Sequence, residues 1–104
     1  NKDVPFKCGE CEDSVIVEDC PSACAVSNVL TGIAIMGTKL KQIHKSHLQP
    51  YKKLYICLDR DATTKAYDMA KDLRSSGFEN VIVKPLEDDL KYYDTEQIRR
   101  MFYE

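Results

Sequence analysis

Three carboxylates stand where apolar stretches of the chain end. Glu18 follows the apolar run 14–17, and Asp59 and Asp61 follow the apolar run 54–58. Side chains two residues apart in an extended strand project to the same side, so the two aspartates form one acidic pair. Carboxylates brought together repel one another and lose hydration, and a divalent cation offsets both costs.

The ligand type indicates which cation such a site would take. Carboxylate oxygens favour Mg²⁺ or Mn²⁺, and Mg²⁺ commonly combines one or two carboxylates with water and phosphate oxygens. A simpler alternative is that the acidic residues only cap the helices that follow, which Asp19 and Asp61 are well placed to do. The position of Glu18 at the end of a second apolar run favours the metal site.

Four short apolar segments alternate with segments of helical periodicity. The apolar segments are rich in β-branched residues and predict strands at residues 14–18, 33–36, 54–58 and 81–83. Apolar residues at helical spacing predict helices at residues 21–30, 40–48, 62–73 and 94–102. Thr31 and Gly32 are expected to break the first helix, and Asp94 with Gln97 resembles a capping pair for the last one.

This order of elements predicts an α/β fold with a four-stranded parallel sheet flanked by helices. The carboxyl ends of parallel strands lie at one edge of the sheet, where ligands of such folds bind. Glu18 and the two aspartates are therefore expected to converge there, provided that the first and third predicted strands are neighbours.

The bulk composition limits the range of functions. A chain of 104 residues with 43% hydrophobic content supports one compact domain. The chain begins at Asn1, so we expect a piece of a longer polypeptide. Residues 1–13 would be a linker or the end of an upstream subdomain, and residues 14–104 the α/β domain. No apolar run reaches membrane-spanning length, which predicts no membrane partner.

Charge and cysteine usage add two further expectations. A net charge of −2 gives no overall basic field, although basic residues crowd positions 39–53. That stretch is either a solvated helix face or a surface that contacts phosphates. The five cysteines are an odd number, and Cys20, Cys24 and Cys57 lie in or beside apolar runs, which favours reduced thiols in the cytoplasm.

Taken together, these motifs resemble the TOPRIM domain shared by primases, topoisomerases, certain nucleases and recombination-mediator proteins. The family pattern places a glutamate after an apolar first strand and D-x-D after a later one, which match Glu18 in VIVED and the aspartates in CLDRDA. The turn Met36-Gly37-Thr38 is similar to the L-G-T-like turn of the primase branch, and Ser22 with Ala23 is similar to the phage form.

The resemblance covers about residues 14–102 and departs from the family at two points. The glycine that commonly follows the glutamate in bacterial primases is Asp19 here, and a glycine often found soon after D-x-D is replaced by Thr63 or Thr64.

The resemblance implies a metal-dependent nucleotidyltransferase of the phage-type DNA primase kind. Glu18, Asp59 and Asp61 would be catalytic and hold Mg²⁺ or Mn²⁺, and Asp88 and Asp89 would serve a second metal. The substrates would be nucleoside triphosphates and a single-stranded DNA template, on which RNA primers are made. Other domains of a longer primase, or a helicase, would be partners. A phage-encoded protein would act in the host cytoplasm.

Several alternatives stay open at this point. The TOPRIM pattern also fits a nuclease or a topoisomerase, and an excised domain could be a catalytically silent binding module. The string D-x-D-x-T at Asp59 resembles phosphatases of the haloacid dehalogenase type, but too few residues follow it for that core. A receiver-like phospho-acceptor domain has a lysine-proline similar to Lys84-Pro85, although here it comes one βα unit too early.

Cys8 and Cys11 form a C-x-x-C pair that is either half of a zinc site, completed by Cys20 and Cys24 or by upstream residues, or a pair of simple thiols. The simple thiols are favoured, because Cys20 and Cys24 belong to a strand–helix turn.

Overall fold

A computed structural model describes residues 5–35, 42–48, 51–86 and 90–103. Its strands are β1 (Phe6–Cys8), β2 (Asp13–Val17), β3 (Thr31–Ala34), β4 (Lys53–Ile56) and β5 (Val81–Val83). Its helices are α1 (Cys20–Ala25), α2 (Gln42–Ser46), α3 (Thr63–Ser75) and α4 (Thr95–Tyr103), with 3₁₀ turns at Arg60–Ala62 and Leu90–Tyr92. Within the described residues, no helix is long and apolar enough to cross a membrane.

The strands form one five-stranded mixed sheet in the order β1-β3-β2-β4-β5. Strands β2 to β5 are parallel to one another, and their order along the chain agrees with the predicted alternation of strands and helices. Strand β1 runs antiparallel to β3 at one edge, with Cys8 opposite Gly32. This strand lies within residues 1–13, for which the sequence predicted a linker or the end of an upstream subdomain.

Helices cover both faces of the sheet because the parallel strands are apolar on both sides. Ile16, Ile33 and Ile56 point to the face covered by α3, where Met69 and Leu73 complete the core. The opposite face packs against α1 and α4 through a second set of buried residues, which includes Val15, Val17, Ala23, Tyr55, Ile98 and Phe102. The result is a three-layer α/β/α domain with a separate apolar core on each face.

Helix α1 is shorter than predicted, and Thr31 and Gly32 belong to β3 instead of forming a break before it. Gly32 is required there because a Cβ at this position would lie 2.6 Å from Ala23 Cα. The backbone of α1 therefore packs directly on β3, and the chain leaves the helix at Ala25 to reach the start of that strand. A glycine that looks like a helix breaker in sequence is a packing site in the fold.

Two of the helix caps that the sequence suggested are present, and they explain where α1 and α4 begin. The Ser22 N–H donates to Asp19 Oδ1 over 3.0 Å, with Pro21 in the first turn. Asp94 and Gln97 form a reciprocal cap. The Gln97 N–H donates to Asp94 Oδ1 at 2.8 Å, and the Asp94 N–H donates to Gln97 Oε1 at 2.9 Å.

Candidate metal centre

The carboxyl edge of the sheet brings the first and third predicted strands side by side. Strands β2 and β4 are paired in parallel, with Ile16 opposite Ile56. The pairing continues past the strands, because the Cys57 N–H donates to Ile16 O at 2.9 Å. Residues that follow these two strands must therefore lie next to each other, which confirms the neighbour relation on which the predicted site depended.

Glu18 and Asp59 meet at this edge. The Asp59 backbone N–H donates a long hydrogen bond of 3.4 Å to Glu18 Oε1, and both residues are partly buried. Burial raises the pKa of Glu18 above its usual value, and the neighbouring charge of Asp59 raises it further. Two carboxylates in contact without a cation between them are thus an unfavourable arrangement that a bound divalent cation would relieve.

Asp61 lies beside this pair on the 3₁₀ turn that follows β4. The turn is closed by the Ala62 N–H, which donates to Asp59 O at 2.8 Å, and the side chain of Asp61 is exposed. The charge of Asp61 makes the smallest contribution to the raised pKa of Glu18. Asp61 therefore belongs to the same electrostatic environment but stands farther out.

The alternative that these acids only cap helices holds for Asp19 and fails at α3. Asp19 caps α1, whereas α3 begins without a side-chain cap and the 3₁₀ turn begins at Asp59 without one. Capping of the following helix thus does not account for the aspartate pair.

The donor set fits Mg²⁺ or Mn²⁺, because Mg²⁺ keeps several waters and needs only one or two carboxylates from the protein. Glu18 and Asp59 would supply these, with Asp61 within reach of a bound water. Within residues 5–35, 42–48, 51–86 and 90–103, no group of three or more His, Cys, Asp or Glu side chains is arranged to hold a metal ion. A cation would therefore be held by the contacting pair and by water or phosphate oxygens.

Two groups of predicted residues lie outside the described residues. They are Asp88 and Asp89, assigned to a second metal, and the Gly37-Thr38 turn. Both assignments stay predictions.

Two cationic residues near this edge of the sheet, Arg60 and Lys84, had no catalytic role in the sequence prediction. Arg60 stands between the two aspartates and is exposed. Lys84 directly follows β5, and its N–H donates to Ile56 O at 3.0 Å, which places it on the strand next to the aspartates. The positions of Arg60 and Lys84, each shortly after a predicted strand, were the feature of the sequence that could have identified them. Both side chains carry the charge needed to contact phosphates of a substrate.

Cys57 lies under this edge and is not a nucleophile. Its thiol donates to Lys84 O at 3.3 Å, and burial raises its pKa to about 12, so it stays protonated at neutral pH.

Two residues at the centre of the basic stretch, His44 and Lys45, are packed against the domain and do not form a free cationic face. His44 is buried, and Lys45 Nζ bonds Asp72 Oδ1 at 3.0 Å and Ser76 Oγ at 2.9 Å. Lys45 thus ties α2 to α3. The centre of the stretch is therefore neither a solvated helix face nor a surface that is free to contact phosphates.

An open groove of about 370 Å³ lies at the other end of the strands, between the start of β4 and the end of α3. Tyr51, Phe78 and Asn80 are among its lining residues. It is separate from the carboxylates.

Comparisons of the chain with protein-family models, with curated proteins and with solved structures found no significant match.

Proposed function

We propose that this domain is the metal-dependent nucleotidyl-transfer domain of a phage-type DNA primase. Glu18 and Asp59 bind Mg²⁺ or Mn²⁺, with Asp61 beside them, and the three carboxylates serve a reaction of nucleoside triphosphates paired with a single-stranded DNA template. The observation that carries the proposal is the convergence of Glu18 and Asp59 at the carboxyl edge, because two carboxylates at short range repel each other and a divalent cation offsets that repulsion. The setting we propose is the cytoplasm, with other primase domains or a helicase supplying further contacts.

Within this proposal, bound divalent ions neutralise phosphate charge and activate the attacking 3′-hydroxyl. The chain's own residues position the reactants. Glu18 and Asp59, which follow β2 and β4, would hold the ions, and Asp61 would accept hydrogen bonds from water bound to them. Arg60 and Lys84 draw the triphosphate towards the edge of the sheet.

The position of Lys84 also bears on the receiver-like alternative. Lys84-Pro85 follows β5, which is the fourth parallel strand along the chain. A receiver domain needs this pair after a fifth parallel strand. The arrangement of strands therefore supports the TOPRIM interpretation over the phospho-acceptor.

Metal binding is tested first, by NMR titration of ¹⁵N-labelled protein with Mn²⁺. Paramagnetic broadening should centre on the amides of residues 18 and 59–61, and Mg²⁺ should compete for the same site. The double variant Asp59→Asn, Asp61→Asn should lose the broadening and keep its fold. Asp68→Asn, an exposed aspartate on α3, is the matched control and should behave like the wild type. Broadening that avoids Glu18 and Asp59 would overturn the metal site.

The reaction is tested on single-stranded DNA with labelled ribonucleotides and Mg²⁺. Template-dependent oligoribonucleotides should form, and the double aspartate variant should make none. If the protein binds metal at Glu18 but cleaves DNA and makes no RNA, the nuclease alternative would replace the primase proposal. Labelling of an aspartate by a small phosphodonor would instead establish the receiver-like function.

A further inference from the structure

The edge strand β1 pairs with β3, which packs directly against helix α1, and β1 also contacts α1. Cys8 in β1 is directly opposite Gly32 in β3. A Cβ on Gly32 would clash with Ala23 of α1, and a Cβ on Gly9 would lie 2.9 Å from Ser27 O, just beyond α1. Cys8 therefore pairs with a residue that approaches Ala23 and precedes a residue that approaches Ser27. Cys24 lies between Ala23 and Ser27 in the chain.

The thiols of α1 lie close to Cys8. Cys24 is exposed, whereas Cys8 and Cys20 are partly buried and pack on the same core cluster. A hydrogen bond with the Cys8 thiol raises the pKa of Cys24, and Cys20 has a smaller effect. The backbone geometry and the thiol contact therefore identify the same pair of sulfur atoms.

The C-x-x-C motif would have suggested Cys11 as the partner of Cys8. The backbone of Cys11 is instead held by Thr31, whose Oγ1 accepts from the Cys11 N–H at 2.8 Å and donates to Cys11 O at 2.9 Å. This fixes the Cys11 backbone beside Thr31 at the start of β3. The thiol with the largest effect on the pKa of Cys24 of α1 is that of Cys8.

We propose that Cys8 and Cys24 are a modification site at which a reversible disulfide fastens the edge strand β1 to helix α1. Strand β1 has three residues and a single neighbouring strand, so it opens at low cost. A covalent link to α1 would hold it in place. The proposal uses none of the carboxylates and stands apart from the primase function.

The reaction balances with a low-molecular-weight disulfide, such as oxidised glutathione, as the oxidant. The Cys24 thiolate attacks one sulfur of the oxidant, forms a mixed disulfide and releases one reduced thiol. The Cys8 thiolate then attacks Cys24 Sγ, forms the internal disulfide and releases the second reduced thiol. Two protons leave the protein and the oxidant gains two electrons. Because only the thiolate attacks, and the pKa of Cys24 is raised, the reaction should accelerate as the pH rises.

Intact-mass and peptide-mapping measurements test the pairing after incubation with oxidised glutathione. We expect a loss of two hydrogens, a peptide that joins Cys8 to Cys24, and full reversal by dithiothreitol. Cys8→Ser and Cys24→Ser should each abolish the internal link, and Cys11→Ser is the matched control that should retain it. A link from Cys8 to Cys11, a link within α1, or no internal link at all would overturn the proposal.

Hydrogen exchange gives an independent readout of the same link. The amides of β1 should exchange roughly 10- to 100-fold more slowly in the oxidised protein than in the reduced one. Since Cys24 is exposed, Cys24→Ser should fold normally and show no difference between the two conditions. Equal exchange of the oxidised and reduced wild type would contradict the fastening of β1.

Discussion

Replacing Glu18 by glutamine tests whether the carboxylate edge is built for a cation. Glutamine keeps the oxygen that accepts from the Asp59 N–H, and it removes the charge that faces Asp59 and Asp61. If the acids repel one another in the metal-free domain, Glu18→Gln should be more stable than the wild type. A residue kept for stability alone would give the opposite result.

The size of the effect follows from the surroundings of Glu18. The side chain is partly buried, but water still screens its interaction with Asp59. Partly exposed like charges of this kind repel by about 0.5–1 kcal/mol. For a domain of this size, that corresponds to a rise in Tm of roughly 2–5 °C.

The pH dependence has a definite sign. The folded-state pKa of Glu18 lies above its ordinary value of 4.5, so the folded chain holds this proton more tightly than the unfolded chain. The wild type therefore loses stability relative to Glu18→Gln as the pH rises through the folded-state pKa. Below 4.5 both side chains are uncharged and the two proteins should have similar stability.

Urea unfolding at several pH values, with and without Mg²⁺, measures each of these effects. At a Mg²⁺ concentration ten times its Kd, the wild type should gain about 1.4 kcal/mol, which removes or reverses the advantage of the variant. Glu79→Gln, at an exposed position far from the edge, is the control and should change little. Metal-free Glu18→Gln that is no more stable than the wild type at neutral pH would refute the reasoning.

Two further predictions concern the scaffold and are checked by urea unfolding. Gly32→Ala should destabilise the domain by about 3 kcal/mol or more, because the added Cβ would clash with the backbone of α1. Gly77→Ala, at φ 104° with open space around it, should cost only about 1 kcal/mol. Similar losses for both would refute the close packing of α1. Asp94→Ala should cost about 1 kcal/mol by removing the bond to the Gln97 N–H, whereas Asp68→Ala should be close to neutral. An unchanged stability of Asp94→Ala would count against the cap.

Local sequence patterns predicted most of the individual elements. The apolar runs before Glu18 and Asp59 are strands, and the capping pair of Asp94 and Gln97 begins the last helix. These features depend on residues close together in the chain, where periodicity and capping chemistry act. Strand β1 was not predicted, because three residues with no alternating pattern become a strand only through the partner that β3 offers.

The residue types and their order therefore determined which acids could form a site and that they follow strand ends. The tertiary structure decided which of them meet. Only the pairing of β2 with β4 brings Glu18 to Asp59, which is 41 residues further along the chain, and it leaves Asp61 exposed beside them. The same holds for Cys8, whose neighbouring thiol belongs to α1 and not to its own motif. Such contacts are long-range choices of register and packing, which no local pattern encodes.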